Sequence, residues 1–346
     1  MAWTLQGIPP MIRPQFPRPI APGVCRSFGA ISAIAGFIIS GIAVTQGDAD
    51  AAPSSVESRE LQASLDSFGF NPPENGAELF APDVVSRPDR FEARIAFSPD
   101  LRECYLTETD ATFSRPRLLV ARRGSDGWSA FEAVGFGAAF AVCHEPFVSD
   151  DNQRLYFTAD GRDRATGDAR DFWVVERTES GWGEPARLAE PVNSNAVEFY
   201  FNQSSDGTII FTSNRPGGYG DFDLYQVETD PEGLVRAVNL GAPCNTPGPE
   251  FDPCLSTDGR LLVFASAQHG EPHLDIYMSS RDSRGVWAKP VPVRGDVNTA
   301  ANEYAPTFSR DGRCLFFVRH DGKQSDVFWV ATDQIGEMQT GDRSRP

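Results

Sequence analysis

The segment EFDPCLSTDGRLLVFASAQHGEPHLDIY, residues Glu250 to Tyr277, contains the pattern that organises most of the chain. A first short strand leads into an Asp258-Gly259 turn, and Asp-Gly between apolar runs is a strong signal for a β-hairpin. The apolar run from Leu261 to Ala265 is too short for a helix and reads as a strand buried on both faces. A third strand opens at Asp275. The segment therefore predicts an antiparallel sheet of at least three strands.

The same pattern occurs five times along the chain. The copies align on the serine that precedes the turn: Ser98, Ser149, Ser204, Ser256 and Ser309, at intervals of 51, 55, 52 and 53 residues. A nearly constant interval of this size indicates a series of stacked supersecondary units. In the first copy, Leu101 stands where the turn glycine is expected, so we predict a turn of a different type there.

These units predict an all-β fold, a five-bladed β-propeller with blades of about 52 residues. A fourth, weaker strand follows in each unit except the last. The segment from Ala77 to Pro88 resembles the missing strand, so we expect it to complete the last blade and close the ring. The predicted propeller spans residues 76–332. Six blades are the alternative if residues 52–75, predicted as a flexible tether, contribute more.

The repeat E-x-x-P-x-x-S-x-D-G-x-L-x-F, followed by an Asp-hydrophobic-Tyr strand, resembles the WD40-like repeats of TolB-type propellers. The segments SNRPGGYGDFDLY, from Ser213 to Tyr225, and NLGAPCNTPGPEF, from Asn239 to Phe251, are especially similar to copies in bacterial envelope proteins. The resemblance implies an exported propeller that binds another envelope component. It covers about 240 residues and rests on motif residues that are structural, so the function it implies is an analogy of fold.

The first fifty residues resemble a secretory leader. Three arginines precede an uncharged stretch, residues 27–44, and Ala49 and Ala51 then form an Ala-x-Ala pair. We predict a signal peptide over residues 1–51 and a periplasmic or secreted protein, with an inner-membrane anchor through residues 27–44 as the alternative. At the other end, residues 333–346 are polar and are predicted to be a disordered tail.

The chain has a formal net charge of −17. A surface of this sign repels phosphate backbones, so nucleic acid is not expected as a partner. An envelope protein or a glycan is the expected partner, the membrane only if the leader is uncleaved, and we expect a monomer. No organic cofactor is expected, whereas calcium remains open. Among the cysteines, Cys244 and Cys254 are a candidate disulfide pair, and burial as free thiols is the alternative.

A glutamate recurs six residues before the aligned serine in four copies: Glu92, Glu198, Glu250 and Glu303. These carboxylates would start the innermost strands, near one mouth of the central channel. Three roles are compatible with this placement. In the first, the carboxylates accept hydrogen bonds from the loop backbone. In the second they hold a hard cation such as calcium, and in the third two of them serve as the acid and base of a glycosidase. The structural role is favoured because a catalytic pair would be singular.

Three loop residues, Tyr219, Asp221 and His269, are candidates for contact with a partner. Tyr219 and Asp221 belong to the Gly-rich GGYGDF segment, and His269 lies in a polar loop of the fourth unit. No catalytic motif is recognised, so we predict a non-enzymatic binding or scaffold module that uses loops on one propeller face. A carbohydrate-active hydrolase or lyase that uses the channel carboxylates is the alternative.

Overall fold

Five antiparallel sheets follow one another along the chain, as the repeat predicts. The computed structural model describes residues 72–125, 127–160, 170–267, 273–294 and 296–335. The predicted leader and most of the tether lie outside the described residues. Within the described ranges, no helical segment has the length and apolar character needed to span a membrane.

Strands are numbered along the chain, and each sheet is a blade with four positions from the propeller axis outward. The innermost strands are β2 (Phe91–Phe97), β7 (Cys143–Val148), β12 (Glu198–Gln203), β16 (Glu250–Leu255) and β20 (Asn302–Phe308). The second strands are β3 (Glu103–Thr109), β8 (Arg154–Asp160), β13 (Ile209–Ser213), β17 (Leu261–Ser266) and β21 (Cys314–His320). Most residues of these ten strands are buried, which explains their apolar sequences.

The third strands are β4 (Arg117–Gly124), β9 (Arg170–Thr178), β14 (Asp223–Thr229), β18 (Asp275–Ser280) and β22 (Ser325–Ala331). The fourth position holds short strands: β5 (Gly127–Trp128) with β6 (Glu132–Ala133), β10 (Gly181–Trp182) with β11 (Ala186–Arg187), β15 (Val235–Asn239), β19 (Val291–Pro292) and β1 (Glu78–Leu79). Blades 1 to 5 begin with β2, β7, β12, β16 and β20 respectively. Loops that enter the innermost strands lie on what we call the upper face, and the Ser-x-Asp turns lie on the lower face.

The last blade is closed by the start of the chain, which confirms the prediction. Strand β1 pairs antiparallel with β22, so that Glu78 lies opposite Trp329. Beyond β1, the Phe80 amide donates a hydrogen bond to the Val327 carbonyl at 2.8 Å. The Ser86 hydroxyl also donates to Val327, at 3.0 Å. The described chain therefore forms a five-bladed ring rather than a six-bladed one.

The aromatic side chain of Phe80 fixes this closure. Phe80 is buried and its ring centroid lies 5.0 Å from that of Phe316 and 5.4 Å from that of Trp329, both edge-on. It also approaches Phe97 of the first blade at 6.3 Å. One side chain therefore joins the last blade to the first.

We expect Phe80→Ala to destabilise the fold by about 3–5 kcal/mol, because it empties a buried aromatic site between two blades. The matched control is Leu79→Ala at the preceding position, where the side chain is exposed, and it should change stability by less than about 0.5 kcal/mol. Urea unfolding measures both. Equal effects of the two substitutions would show that the closing segment does not hold the ring.

All five lower-face turns have the same geometry. In each, the residue three after the aligned serine donates its amide to the serine carbonyl, and the serine hydroxyl donates to the aspartate two residues later. The hydroxyl bonds are Ser98 to Asp100, Ser149 to Asp151, Ser204 to Asp206, Ser256 to Asp258 and Ser309 to Asp311. The Ser-x-Asp spacing thus places the serine hydroxyl within hydrogen-bond distance of the aspartate, and this side-chain bond stabilises the turn.

The prediction of a different turn at Leu101 is wrong. Leu101 has a φ of 53°, close to the 66° of Gly259 at the same position. A leucine in this region costs roughly 1–2 kcal/mol, but its side chain is only 4% exposed. Burial of a leucine is worth about 1.5–3 kcal/mol, which offsets the backbone strain.

The five cysteines of the described chain are buried free thiols. The predicted disulfide between Cys244 and Cys254 is therefore wrong, and the alternative of free buried thiols is correct. The two side chains belong to different apolar clusters, which explains why they do not meet. Burial raises the pKa of the Cys244 and Cys314 thiols to about 12.

The first residues of the predicted tail pack on the propeller. Thr332–Gln334 forms a short 3-10 turn, and the Ile335 side chain is buried in the same cluster as Leu315. The Gln334 side chain donates to the Pro73 carbonyl at 2.6 Å and accepts from the Gly76 amide at 2.6 Å. The two ends of the described chain are thus tied together. Residues 336–346 lie outside the described residues.

Candidate functional site

The four recurring glutamates lie at the upper ends of the innermost strands and are fully buried. Each is held by its own blade. Glu250 accepts hydrogen bonds from the Thr246 amide at 3.1 Å, from the Thr246 hydroxyl at 2.6 Å and from the Ser266 hydroxyl at 3.1 Å. The Thr299 amide and hydroxyl make the same two bonds to Glu303, at 3.1 and 2.6 Å.

The same arrangement recurs around Glu198, which accepts a hydrogen bond from the Ser194 amide at 3.1 Å. In three of these four sites an arginine also reaches the carboxylate: Arg90 to Glu92 at 2.7 Å, Arg215 to Glu198 at 3.2 Å and Arg319 to Glu303 at 2.8 Å. The carboxylates thus fix the loops that enter the innermost strands.

Burial raises the pKa of Glu250 to about 8, opposed by the hydrogen bonds from Thr246. Burial also raises the pKa of Glu92 to about 8, opposed by Arg90. A carboxyl that is harder to ionise when folded stabilises the protein least at high pH. Its contribution is therefore lost as the pH rises from the unfolded value near 4.5 to about 8.

The direction of this pKa shift gives a test of the role of Glu250. Because glutamine cannot ionise and fits the same hydroxyls, Glu250→Gln should gain stability relative to the natural chain between pH 5 and pH 8.5, by up to about 4 kcal/mol. Thermal unfolding at both pH values measures this difference. If the two proteins show parallel stability curves, Glu250 ionises in the folded state without penalty.

The second blade lacks the recurring glutamate. Cys143 stands in its place, and Glu145, two residues later, belongs to a different set of positions. Glu145 accepts hydrogen bonds from the Thr158 hydroxyl at 2.7 Å and from the Tyr200 amide at 2.9 Å. It therefore joins the second blade to the third.

The residues at this offset, two after the glutamate position, form a layer around the propeller axis. We call Arg94, Glu145, Tyr200, Asp252 and Ala305 the axial layer, and all five are buried. Four of them have a positive φ, of 57°, 64°, 55° and 53° in chain order from Glu145. Such strain in residues other than glycine persists only where the surrounding structure imposes it, and it is concentrated at functional sites.

Charges meet across the axis in this layer. Arg94 of blade 1 places Nη1 3.5 Å from Oδ1 of Asp252 in blade 4, and its guanidinium lies 5.9 Å from the ring centroid of Tyr200 in blade 3. Neither blade is adjacent to blade 1 in a ring of five. Burial raises the pKa of Asp252 to about 7, with Arg94 opposing the shift and Glu145 adding to it.

Below the axial layer is a cavity of about 100 Å³, which we call the axial cavity. All five innermost strands contribute to its wall, with Ala96, Val148, Asn202, Leu255 and Phe308. Arg94 lines it as well, whereas none of the four recurring glutamates does.

The lower end of the axial cavity is crossed by bonds between the lower-face turns. Arg310 of blade 5 forms an ion pair with Asp150 of blade 2, and Ser205 donates to the same carboxylate. The Ser205 amide donates to the Thr257 carbonyl at 2.9 Å, and the Thr257 hydroxyl donates to the Arg310 carbonyl at 3.1 Å. Turns from four blades are thereby linked under the axis.

The Gly-rich loop between β13 and β14 lies on the upper face and is tightly organised. The buried Asp223 carboxylate accepts hydrogen bonds from the Tyr219 amide at 2.7 Å and from the Gly220 amide at 3.1 Å. A Cβ on Gly218 would lie 1.8 Å from that carboxylate, and one on Gly220 would lie 2.4 Å from the Gly248 carbonyl. Only glycine fits at these two positions.

This loop presents two of the three predicted contact residues. The Tyr219 side chain is 58% exposed although its backbone is fixed by Asp223, and Asp221 is also exposed. The third, His269, lies outside the described residues. The sequence did not single out Arg94 or Asp252. The sequence feature that could have identified them is the position two residues after the recurring glutamate, where every copy of the repeat has a different residue type.

Comparison with solved structures finds proteins of low similarity. A protein assigned as TolB from Agrobacterium tumefaciens is 19% identical, with 70% of this chain and 78% of that one covered and a TM-score of 0.46. TolB from Acinetobacter baumannii is 15% identical, with 70% and 55% covered and a TM-score of 0.41. The sheet order and the repeats decide the fold. The chain is a five-bladed β-propeller.

A glycosyl hydrolase from Bacteroides ovatus is similar at the same level, with 11% identity, 78% of this chain and 95% of that one covered and a TM-score of 0.44. No family model matches the chain. No curated protein matches it either. At these identities and TM-scores, the propeller's neighbours carry no argument about its function.

Proposed function

We propose that this propeller is an exported, non-enzymatic binding module of the bacterial cell envelope, which engages a protein or glycan partner through loops on its upper face. The observation that carries the proposal is the rigid presentation of Tyr219. An exposed tyrosine offers a large contact area with few rotatable bonds, and it is enriched among residues that dominate binding.

The fixed backbone of the loop supports the same conclusion. Asp223 holds the Tyr219 and Gly220 amides, and Gly218 and Gly220 leave no space for another arrangement. A loop that is already ordered loses little conformational entropy on binding. The adjacent carboxylate of Asp221 adds a charged group that suits a basic or hydroxyl-rich partner.

The alternative of a hydrolase or lyase is not favoured by any specific observation. Glycoside hydrolysis requires two carboxyl groups that reach the scissile bond of the substrate. The four predicted carboxylates are fully buried, and each is bound by groups of its own blade. Oε2 of Glu92 has no hydrogen-bond partner. Among the described residues, however, no group of three or more His, Cys, Asp or Glu side chains is placed to hold a metal ion.

Export is supported by the leader pattern of residues 1–51. A net charge of −17 suits a soluble module that avoids nucleic acid. We propose the periplasm or the cell exterior as its location and a monomer as its state.

The test compares capture from an envelope extract by the natural propeller and three variants, with crosslinking and quantitative mass spectrometry. Tyr219→Ala removes the contact group, and Gly220→Ala keeps it but forces the loop backbone to move. Both should lose at least about tenfold of the specific partner. The control Leu234→Ser alters an equally exposed residue on the lower-face hairpin between β14 and β15 and should retain it.

Circular dichroism must show that each variant is folded, and the melting temperature should be unchanged for Tyr219→Ala and Leu234→Ser. A lower melting temperature is expected for Gly220→Ala, because its Cβ meets the Gly248 carbonyl. A partner retained by Gly220→Ala and lost by Tyr219→Ala would show that the side chain matters but the fixed loop does not. Equal capture by all four proteins would overturn the proposed upper-face site.

A further inference from the structure

Arg94 has hydrogen-bond donors that the protein does not satisfy. Its side chain is 2% exposed, it lines the axial cavity, and Nε has no hydrogen-bond partner. Its contact with Asp252, at 3.5 Å, is at the outer limit of a hydrogen bond. A guanidinium carries five N–H donors, and a buried charge with unmet donors is costly. A carboxylate is the group that satisfies a guanidinium best, through two parallel bonds.

The lining of the axial cavity is mostly apolar. Phe97, Phe147 and Phe308 contribute aromatic rings to it. Two of its polar side chains are already engaged, since the Asn202 oxygen accepts from a backbone amide at 2.9 Å and Arg310 is paired with Asp150. An apolar wall with one or two specific polar groups is typical of a small-molecule site.

The volume limits the size of an occupant. The cavity measures about 100 Å³, whereas benzene occupies an engineered protein cavity of about 150 Å³. Because benzene has six non-hydrogen atoms, a compact ligand of roughly four is the largest that the cavity takes without rearrangement.

The charges around Arg94 leave room for a negative ligand. Glu145 is bound by Thr158 and the Tyr200 amide, and His144 Nδ1 lies 3.0 Å from its other oxygen. Asp252 is the direct competitor for Arg94, but burial raises its pKa to about 7, so near neutral pH it is partly protonated. Its Oδ2 also has no partner. The charge of Arg94 is thus incompletely compensated.

We propose that the axial cavity binds a small monocarboxylate of the size of acetate, its carboxylate paired with Arg94 and its methyl group packed against the aromatic wall. The site lies on the axis and is separate from the Tyr219 loop. It does not depend on the function proposed for that loop.

Acetate, labelled with ¹³C at its methyl group, is the probe, and acetamide is its uncharged control. We expect millimolar binding, an upfield shift of the methyl resonance from the aromatic wall, and contacts from the methyl to Phe147 or Phe308 in nuclear Overhauser spectra. Acetamide should bind at least about fivefold more weakly, because it cannot make a charge-assisted pair.

Three variants make the test specific. Arg94→Met should weaken acetate binding at least about tenfold. Asp252→Asn removes the competing anion and should tighten binding about threefold, the opposite of what general damage to the axis would do. Ala96→Leu fills the cavity without touching either charge and should abolish binding.

Absence of any acetate shift at about 50 mM would overturn the proposal, since it corresponds to an affinity too weak for a built site. Equal shifts with acetamide, or unchanged acetate binding in Ala96→Leu, would also overturn it. If Arg94→Met does not fold, the opposite signs expected for Asp252→Asn and Ala96→Leu still decide the result.

Discussion

The pairing of β1 with β22 is the contact on which the rest of the structure depends. Before it forms, the last blade has three strands and one open edge, and the first blade lacks a neighbour. Once it forms, Phe80 packs between the two blades and the ring becomes continuous. Contacts across the axis, such as that between Arg94 and Asp252, require this closure because they join blades that are not neighbours. The geometry of the axial layer therefore depends on the pairing of two residues, Glu78 and Leu79, with β22.

The residues that recur in the repeat and the residues of the axial layer have different structural roles. Residues that recur, such as the Ser-x-Asp pairs of all five blades and the buried glutamates of four, act within one blade and stabilise its turns and loops. Residues of the axial layer change from blade to blade, and each faces a different partner. A ring of similar units can thus acquire one asymmetric, chemically specific centre. The strained backbone of Glu145, Tyr200, Asp252 and Ala305 marks that centre.

Much of the fold could be predicted from the sequence, because apolar runs and Asp-Gly turns report local structure directly. The turn at Leu101 could not, because the compensation for its strained backbone is a distant apolar site. The same limit applies to the candidate site. Tyr219 stands in a visible glycine-rich motif, whereas the meeting of Arg94 and Asp252 depends on ring size and on register irregularities in β2 and β16. No local pattern encodes that distance.

The buried thiols bear on how the chain matures. Each cysteine of the described chain sits in the interior with its proton held firmly by its surroundings, so neither oxidants nor thiol exchange reach it readily. The fold of the described chain therefore contains no disulfide that must form or that a reductant could break. Its folding is thus independent of the redox state of the compartment in which it takes place.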